Sequence, residues 1–231
     1  MLKSMVRKAL HSRGLDLVKA PNILTFLEVH QVDLVLDVGA NVGQYGHGLR
    51  ERGYEGRIWS FEPVKGVFEK LQAATQHDQR WKVTRSAVGA AAGEVTINVS
   101  ELSVFSSIKS ANQTAHAFDS RVAVVEKQQV QVATLDDLLK DDAAQNIFLK
   151  IDTQGFEKEV LEGAADLRSK LVGIQLEVPI DNLYDDVWSF PECIDYMDRL
   201  GYTPSQFKIV NASRSDPASA VEFDCILRRK S

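Results

Sequence analysis

The stretch Asp33–Gly46, DLVLDVGANVGQYG, limits what this chain can fold into more than any other. A short apolar run, Leu34-Val35-Leu36, ends in an acid, Asp37. Gly39, Gly43 and Gly46 follow, with Asn41 between the first two. An apolar run this short and bounded by glycine reads as a buried strand. Glycine is needed where the backbone takes positive φ or comes close to another group, and asparagine is one of the few other residues that tolerates the left-handed region. A buried strand, a glycine-rich turn and the start of a helix make the cradle in which α/β proteins hold nucleotides. The acid narrows the choice of ligand, because it could hold a positive group, directly or through water, whereas an anion-binding loop does not usually need an acid there. The competing account is a tight strand-to-helix turn with no ligand.

The rest of the chain alternates in the same way. A short helix at Pro21–His30 leads into the first strand, Asp33–Val38, and a helix at Gly43–Arg52 closes on Gly53. A second strand, Arg57–Phe61, ends in Glu62-Pro63, and a helix, Val64–Thr75, carries Val67, Phe68 and Leu71 on its inner face. Trp81–Val88 reads as a third strand. Ile147–Ile151, ending in Asp152, and Leu171–Val178, with Glu177 near its end, read as the fourth and fifth, with a helix at Phe156–Arg168 between them. Ser189 and Glu192 form a capping box for a helix that Gly201 ends. Two last strands, near Gln206–Val210 and Val221–Leu227, have no helix between them, so one is expected to run antiparallel. Strands alternating with helices imply a mostly parallel sheet covered on both faces.

The middle departs from this rhythm. Glu94–Val99 alternates like a half-exposed strand, Val130–Ala133 reads as another, and Thr134 caps a helix at Leu135–Lys140. Ser100–Ser120 is polar and without period. A loop of that length in a compact domain is commonly a lid or binding loop. The expected organisation is an N-terminal helical extension over residues 1–30 and one α/β domain over 31–231, with a strand and loop insertion at about 94–133.

Composition excludes several classes. An apolar fraction of 44% suffices for a full core, and a net charge of −5 argues against a general nucleic-acid binder. No apolar run approaches a membrane span, and Cys193 and Cys225 lack metal-type spacing, so the chain reads as a cytoplasmic protein with reduced thiols. The N-terminus, MLKSMVRKALHSRG, is a basic amphipathic helix. A helix packed on the domain edge is the plainer reading, and one docked on a membrane surface or partner the sharper.

In an open α/β sheet, ligands bind outside the carboxyl ends of the strands. Asp37, Glu62, Asp152 and Glu177 all stand on that rim. For a cationic nucleoside, Asp37 would face the amino-acid end, and Glu62 would accept hydrogen bonds from both ribose hydroxyls. Ala87 and Val88 would lie beside the base. Asp152 follows an apolar strand directly, where burial is costly without a role, so it stands as a general base, a substrate-orienting group or a metal ligand. Lys150 is placed to pair with a strand-end acid, and Glu157 and Glu159 read as acids favoured by a helix dipole. Ser106, Ser107 and Glu177 are candidate substrate contacts. His116 lies in the polar loop, where a solvated histidine is the plainer reading.

The dinucleotide fingerprint G-x-G-x-x-G fits poorly, since the spacing here is Gly39-x-Asn41-x-Gly43. The stretch is similar instead to D-x-G-x-G-x-G, the first motif of class I methyltransferases, with Asn41 at the middle glycine. DVGANVGQYG, Phe61-Glu62-Pro63, Ser106-Ser107, LKIDTQGFEKEVLEGA and the terminal FDCILRR, in this order from about Asp33 to Arg229, resemble the FkbM family of S-adenosylmethionine-dependent methyltransferases. The resemblance implies a class I methyltransferase fold: a doubly wound, mostly parallel seven-stranded sheet with an antiparallel last strand. It further implies O-methylation of a hydroxyl on a sugar, glycan or natural product. Asp37, Gly39, Asn41 and Gly43 resemble the family's cofactor loop, Glu62 its ribose acid, and Asp152 the acid after its fourth strand.

Two other functions stay open at this point: a nucleoside-binding module without catalysis, and an NAD-dependent oxidoreductase. The acceptor and the oligomeric state are not written in the residues. A divalent metal on Asp152 and Glu177 is the less favoured of two routes for the proton, because LEVP at the end of the fifth strand lacks a second adjacent oxygen ligand.

Overall fold

Along the strand Leu34–Val38 (β1), Leu34, Leu36 and Val38 enter one apolar core and Val35 a second, the two-residue period of extended chain. The computed structural model describes residues 2–15, 21–112, 115, 119–180, 182–185, 187–212 and 218–230. Ahead of β1 stand the helices Leu2–His11 (α1) and Ile23–Val29 (α2). After it come α3 (Gln44–Glu51), β2 (Arg57–Phe61), α4 (Lys65–Thr75), β3 (Trp81–Thr84), β4 (Ala87–Val88), β5 (Gly93–Ser100) and β6 (Val124–Ala133). The chain continues through α5 (Leu135–Leu139), β7 (Ile147–Ile151), α6 (Glu157–Glu162), β8 (Leu171–Pro179), α7 (Phe190–Arg199), β9 (Tyr202–Ala212) and β10 (Ala220–Arg229).

Seven strands form the main sheet in the order β3-β2-β1-β7-β8-β10-β9. Neighbours from β3 to β8 pair in parallel, and β10 is antiparallel to both β8 and β9. This is the seven-stranded α/β sheet with one reversed strand that the sequence led us to expect. On one face, Phe26 and Leu27 of α2, Leu49 of α3 and Leu71 of α4 pack with Val35, Ile58 and Phe148. On the other, Leu135 and Leu139 of α5, Val160 and Leu161 of α6 and Met197 of α7 pack with Leu36, Leu149, Leu176 and Cys225. Thus α2 belongs to the core of the domain that was expected to begin at residue 31, its Phe26 ring edge-on to Phe148 at 5.4 Å. Residues Ser4–Ala9 of α1 are exposed.

Three elements differ from the reading above, one of them β6, which begins at Val124 and not at Val130. The third strand breaks after Thr84, where the Ser86 hydroxyl donates to the carbonyls of Ala87 and Gln131. Ala87 and Val88 leave the main sheet and pair with Val132 and Ala133 of β6. The helix expected at Phe156–Arg168 ends at Glu162, and a 3-10 turn, Asp166–Ser169, takes over. The insertion is a second sheet, β4-β6-β5, whose Ile97, Val99, Val130 and Val132 pack on Val64 and Val67.

From β5 the chain crosses back as an ordered strap. It carries a 3-10 turn at Ser103–Phe105, a bridge from Ser107 to Asn98, and a bridge from Ala111 to Tyr184. Phe105 and Ala111 pack beside Leu183 and Tyr184. His116 lies outside the described residues. No helix among the described residues is long and apolar enough to cross a membrane.

Candidate active site

The order of the main sheet reverses between β1 and β7, and a cavity of about 890 Å³ opens at the carboxyl ends of these strands. Its walls carry Gly39, Ala40, Asn41, Glu62, Ala87, Val88, Ser103, Ser106, Lys150, Asp152, Gln154 and Glu177. Asp37, Gly43 and Ser107, expected in the site, lie behind the wall.

The glycine turn is built from the inside. Gly39, with φ +75°, passes so close to the backbone of Asp152 that a Cβ would fall onto its carbonyl oxygen. Its φ and this approach together demand glycine. Gly43, at φ +92°, precedes α3 against Leu71 and Trp81. Asn41 takes φ +49°, and its amide nitrogen donates to Ser103 Oγ at 3.0 Å. The turn's own N–H groups point inward: Gly39 and Ala40 donate to the Phe61 carbonyl, Asn41 to Glu62 Oε2 at 3.0 Å, and Val42 to Asn41 Oδ1. No N–H row is left for a pyrophosphate, unlike a dinucleotide loop.

Glu62 is only 5% exposed and faces the cavity, held by the Asn41 N–H and by the Val64 N–H at 2.8 Å. Burial, with a smaller push from Asp37, raises its carboxyl from the ordinary 4.5 to about 7, against the lowering pull of the two N–H donors. Its oxygens retain lone pairs for hydroxyl donors. Ala87 and Val88 line the wall beside Ile97, Ile108 and Phe156, an apolar slot beyond Glu62. These residues fit the nucleoside of S-adenosylmethionine: a carboxylate for the ribose, and small and apolar groups for the base.

A polar row crosses the sheet floor. Asp37 sits in register between Ser60 of β2 and Lys150 of β7, and Lys150 lies beside Gln175 of β8. Asp37 is fully buried. It accepts from the Ser60 hydroxyl and lies 3.1 Å from Lys150 Nζ. Its charge is answered by a lysine on the floor of the cavity. Burial presses the Lys150 ammonium down, but Asp37 and Asp152 push it further up, so it stays charged. Tyr45 of α3 donates to Gln175 Oε1 at 3.0 Å over this floor.

Asp152 is the exposed acid of the group, with 41% of its side chain accessible and Oδ2 3.4 Å from Lys150. Gln154 holds the other oxygen: its Nε2 donates to Asp152 Oδ1 at 2.8 Å and to Glu177 Oε2 at 2.9 Å. Burial, then the negative charge of Asp152, raises the Glu177 carboxyl well above its usual range. Asp152 and Glu177 thus meet across an amide donor, which does not fit a shared metal ion. No group of three His, Cys, Asp or Glu suited to a metal exists among the described residues. Glu157, read as a helix-dipole acid, is instead buried and accepts from the N–H groups of Thr153 and Gly155 and from the Thr153 hydroxyl. Of the serine pair, Ser106 reaches the cavity, whereas Ser107, 2% exposed, donates to the Gln154 carbonyl at 2.6 Å.

Sheet order, inward-turned loop and acid rim define a class I methyltransferase fold. The sequence model for the methyltransferase FkbM domain matches residues 37–204. The chain belongs to the FkbM methyltransferase family. No curated protein matches it. Among solved structures it is similar to a chain of the complex between the Haloferax volcanii Trm112 methyltransferase activator and a methyltransferase, at 10% identity and TM-score 0.50, covering 86% of this chain and 82% of that one. It is also similar to magnesium protoporphyrin IX methyltransferase from Synechocystis PCC 6803, at 11% identity and TM-score 0.47, covering 99% and 97%. TehB from Haemophilus influenzae matches at 8% identity and TM-score 0.49, covering 93% and 64%.

Proposed function

We propose that this protein transfers a methyl group from S-adenosylmethionine to a hydroxyl oxygen of a sugar, glycan or natural product. The observation that carries this reading is that one cavity joins Glu62 to Asp152, so that nucleoside acid and accessible acid face one volume. Glu62 would hold the ribose, Ala87 and Val88 the base, and Gly39 to Asn41 the backbone around the amino-acid end. When bound, the cofactor supplies a methyl group activated on a sulfonium. Asp152, one oxygen on Gln154 and the other on Lys150, would orient the acceptor hydroxyl and take its proton. The inward-turned N–H groups of the loop weigh against a dinucleotide. The reading needs no metal, and it gives the protein no nucleic-acid partner. A cytoplasmic setting accords with the two free thiols.

Calorimetry with S-adenosylhomocysteine and NAD tests the cofactor: the first should bind and the second should not. Glu62→Ala should weaken S-adenosylhomocysteine by ~1.5–3 kcal/mol, and unchanged affinity would remove the ribose assignment. Transfer of radiolabelled methyl to a panel of glycosides and polyols, in chelator and with Mg²⁺, tests the chemistry. Label that survives mild alkali marks an ether. Turnover that vanishes in chelator and returns with Mg²⁺ would overturn the metal-free route, and absence of transfer to any hydroxyl would overturn O-methylation.

A further inference from the structure

Gln154 stands where several elements meet at the rim of the cavity. It takes φ +56°, a left-handed conformation that a side chain other than glycine seldom adopts, and such strain persists only where surrounding contacts over-determine it. Four contacts do so here. Its carbonyl accepts the Ser107 hydroxyl at 2.6 Å, its Oε1 accepts the Tyr184 hydroxyl at 2.8 Å, and its Nε2 donates to Asp152 and Glu177. Ser107 comes from the strap, Tyr184 from the turn after β8, Asp152 from the end of β7 and Glu177 from β8.

We propose that Gln154 is a positioning residue whose amide, locked in one orientation by Tyr184, fixes the Asp152 and Glu177 carboxylates for their work on the acceptor. The inference rests on the methyltransferase reading for what that work is, and on the geometry for everything else. The nitrogen side of the amide faces both carboxyl groups. The oxygen then faces Tyr184, whose hydroxyl donates to it and so opposes a flip. Each of the two Nε2 protons has one carboxylate to serve. The strap enters because Ser107 anchors the main chain from which this amide projects, while Ser103 of the same strap contacts Asn41 in the cofactor turn.

The carboxylates sit in a crowded electrostatic setting. Lys150 and, beneath it, Asp37 lie on the sheet floor; Glu157 comes from α6; Glu222 and Asp224 come from β10; and the Tyr184 hydroxyl closes the side. With this much negative charge nearby, removing the donor must favour protonation of Glu177, because hydrogen bonds to a carboxylate stabilise its ionised form. A residue that only filled space would leave the titration unchanged.

The test is a ¹³C NMR titration of side-chain carboxyl groups in the S-adenosylhomocysteine-loaded protein, comparing wild type, Gln154→Met and Tyr184→Phe. Methionine keeps the length of the side chain and removes its donor. The midpoint of Glu177 should rise by about one pH unit or more in Gln154→Met, roughly tenfold in proton affinity. Tyr184→Phe should raise it less. A midpoint that does not move in Gln154→Met, or in Tyr184→Phe where the methionine variant does not fold, overturns the assignment. Failure of the wild-type protein to bind S-adenosylhomocysteine would sink the methyltransferase reading instead; the titration, repeated on the free protein, would still decide the role of Gln154.

Discussion

Gly39 and Glu62 show how differently one site can constrain single residues. Gly39 is required by the Asp152 backbone as much as by any ligand, so Gly39→Ala should destabilise the fold itself. Strain in the left-handed region and overpacking against the carbonyl should together cost roughly 2–5 kcal/mol. Chemical denaturation of the ligand-free protein checks this, and a variant as stable as wild type would contradict the close approach. Glu62 is an acid whose folded carboxyl lies above its unfolded value. The folded state therefore holds the proton longer, and wild type should lose stability relative to Glu62→Gln as pH rises from 4.5 to about 7. Below 4.5 both states are protonated, and above about 7 the difference is complete. Thermal melting of the two proteins across this window is the measurement, and parallel curves would refute the perturbed carboxyl. Ribose hydroxyls that favour the ionised form should also release protons on binding, which calorimetry in buffers of different ionisation enthalpy detects.

At the scale of elements, the strap joins both halves of the cavity: Ser103 contacts Asn41 and Ser107 reaches Gln154. Amides of residues 101–109 should exchange more slowly with solvent once S-adenosylhomocysteine is bound, and Ser103→Ala should reduce that protection. Hydrogen exchange followed by mass spectrometry would settle it, and protection unaffected by ligand would make the strap inert. The strand ends were legible in the chain because an apolar run closing on Asp37, Glu62 or Asp152 is a local pattern. So was the capping box, with Glu192 accepting from the Ser189 N–H at 2.8 Å. Ser103, Gln154 and Tyr184 were not legible, because their roles come from partners far along the chain; Asn41 and Ser103 are 62 positions apart. The break in the third strand was hidden for a related reason. Trp81–Val88 has strand-like side chains throughout, and only the approach of β6 decides that Ala87 and Val88 pair elsewhere. Lys150 was legible as a partner for a strand-end acid, and the register between strands adds that it meets Asp37 as well as Asp152.

For the whole molecule, Cys193 and Cys225 report on global integrity. Both are fully buried in the core beneath α7 and β10, and burial raises both thiols, Cys225 to about 12. A thiol that is neither accessible nor ionised does not react with disulfide reagents. Labelling should therefore proceed at the rate of global opening, and fast labelling of the native protein would point to local opening at α7. The sheet order carries one more consequence. The strand β10, made last, is an inner strand between β8 and β9. Until Ala220–Arg229 has been synthesised, both of its neighbours keep an open row of backbone donors and acceptors, one of them flanked by the exposed side chains of Phe207, Ile209 and Val210. A nascent chain stalled before β10 is thus a sticky half-sheet, and holding it apart from its copies is a task for whatever meets it at the ribosome.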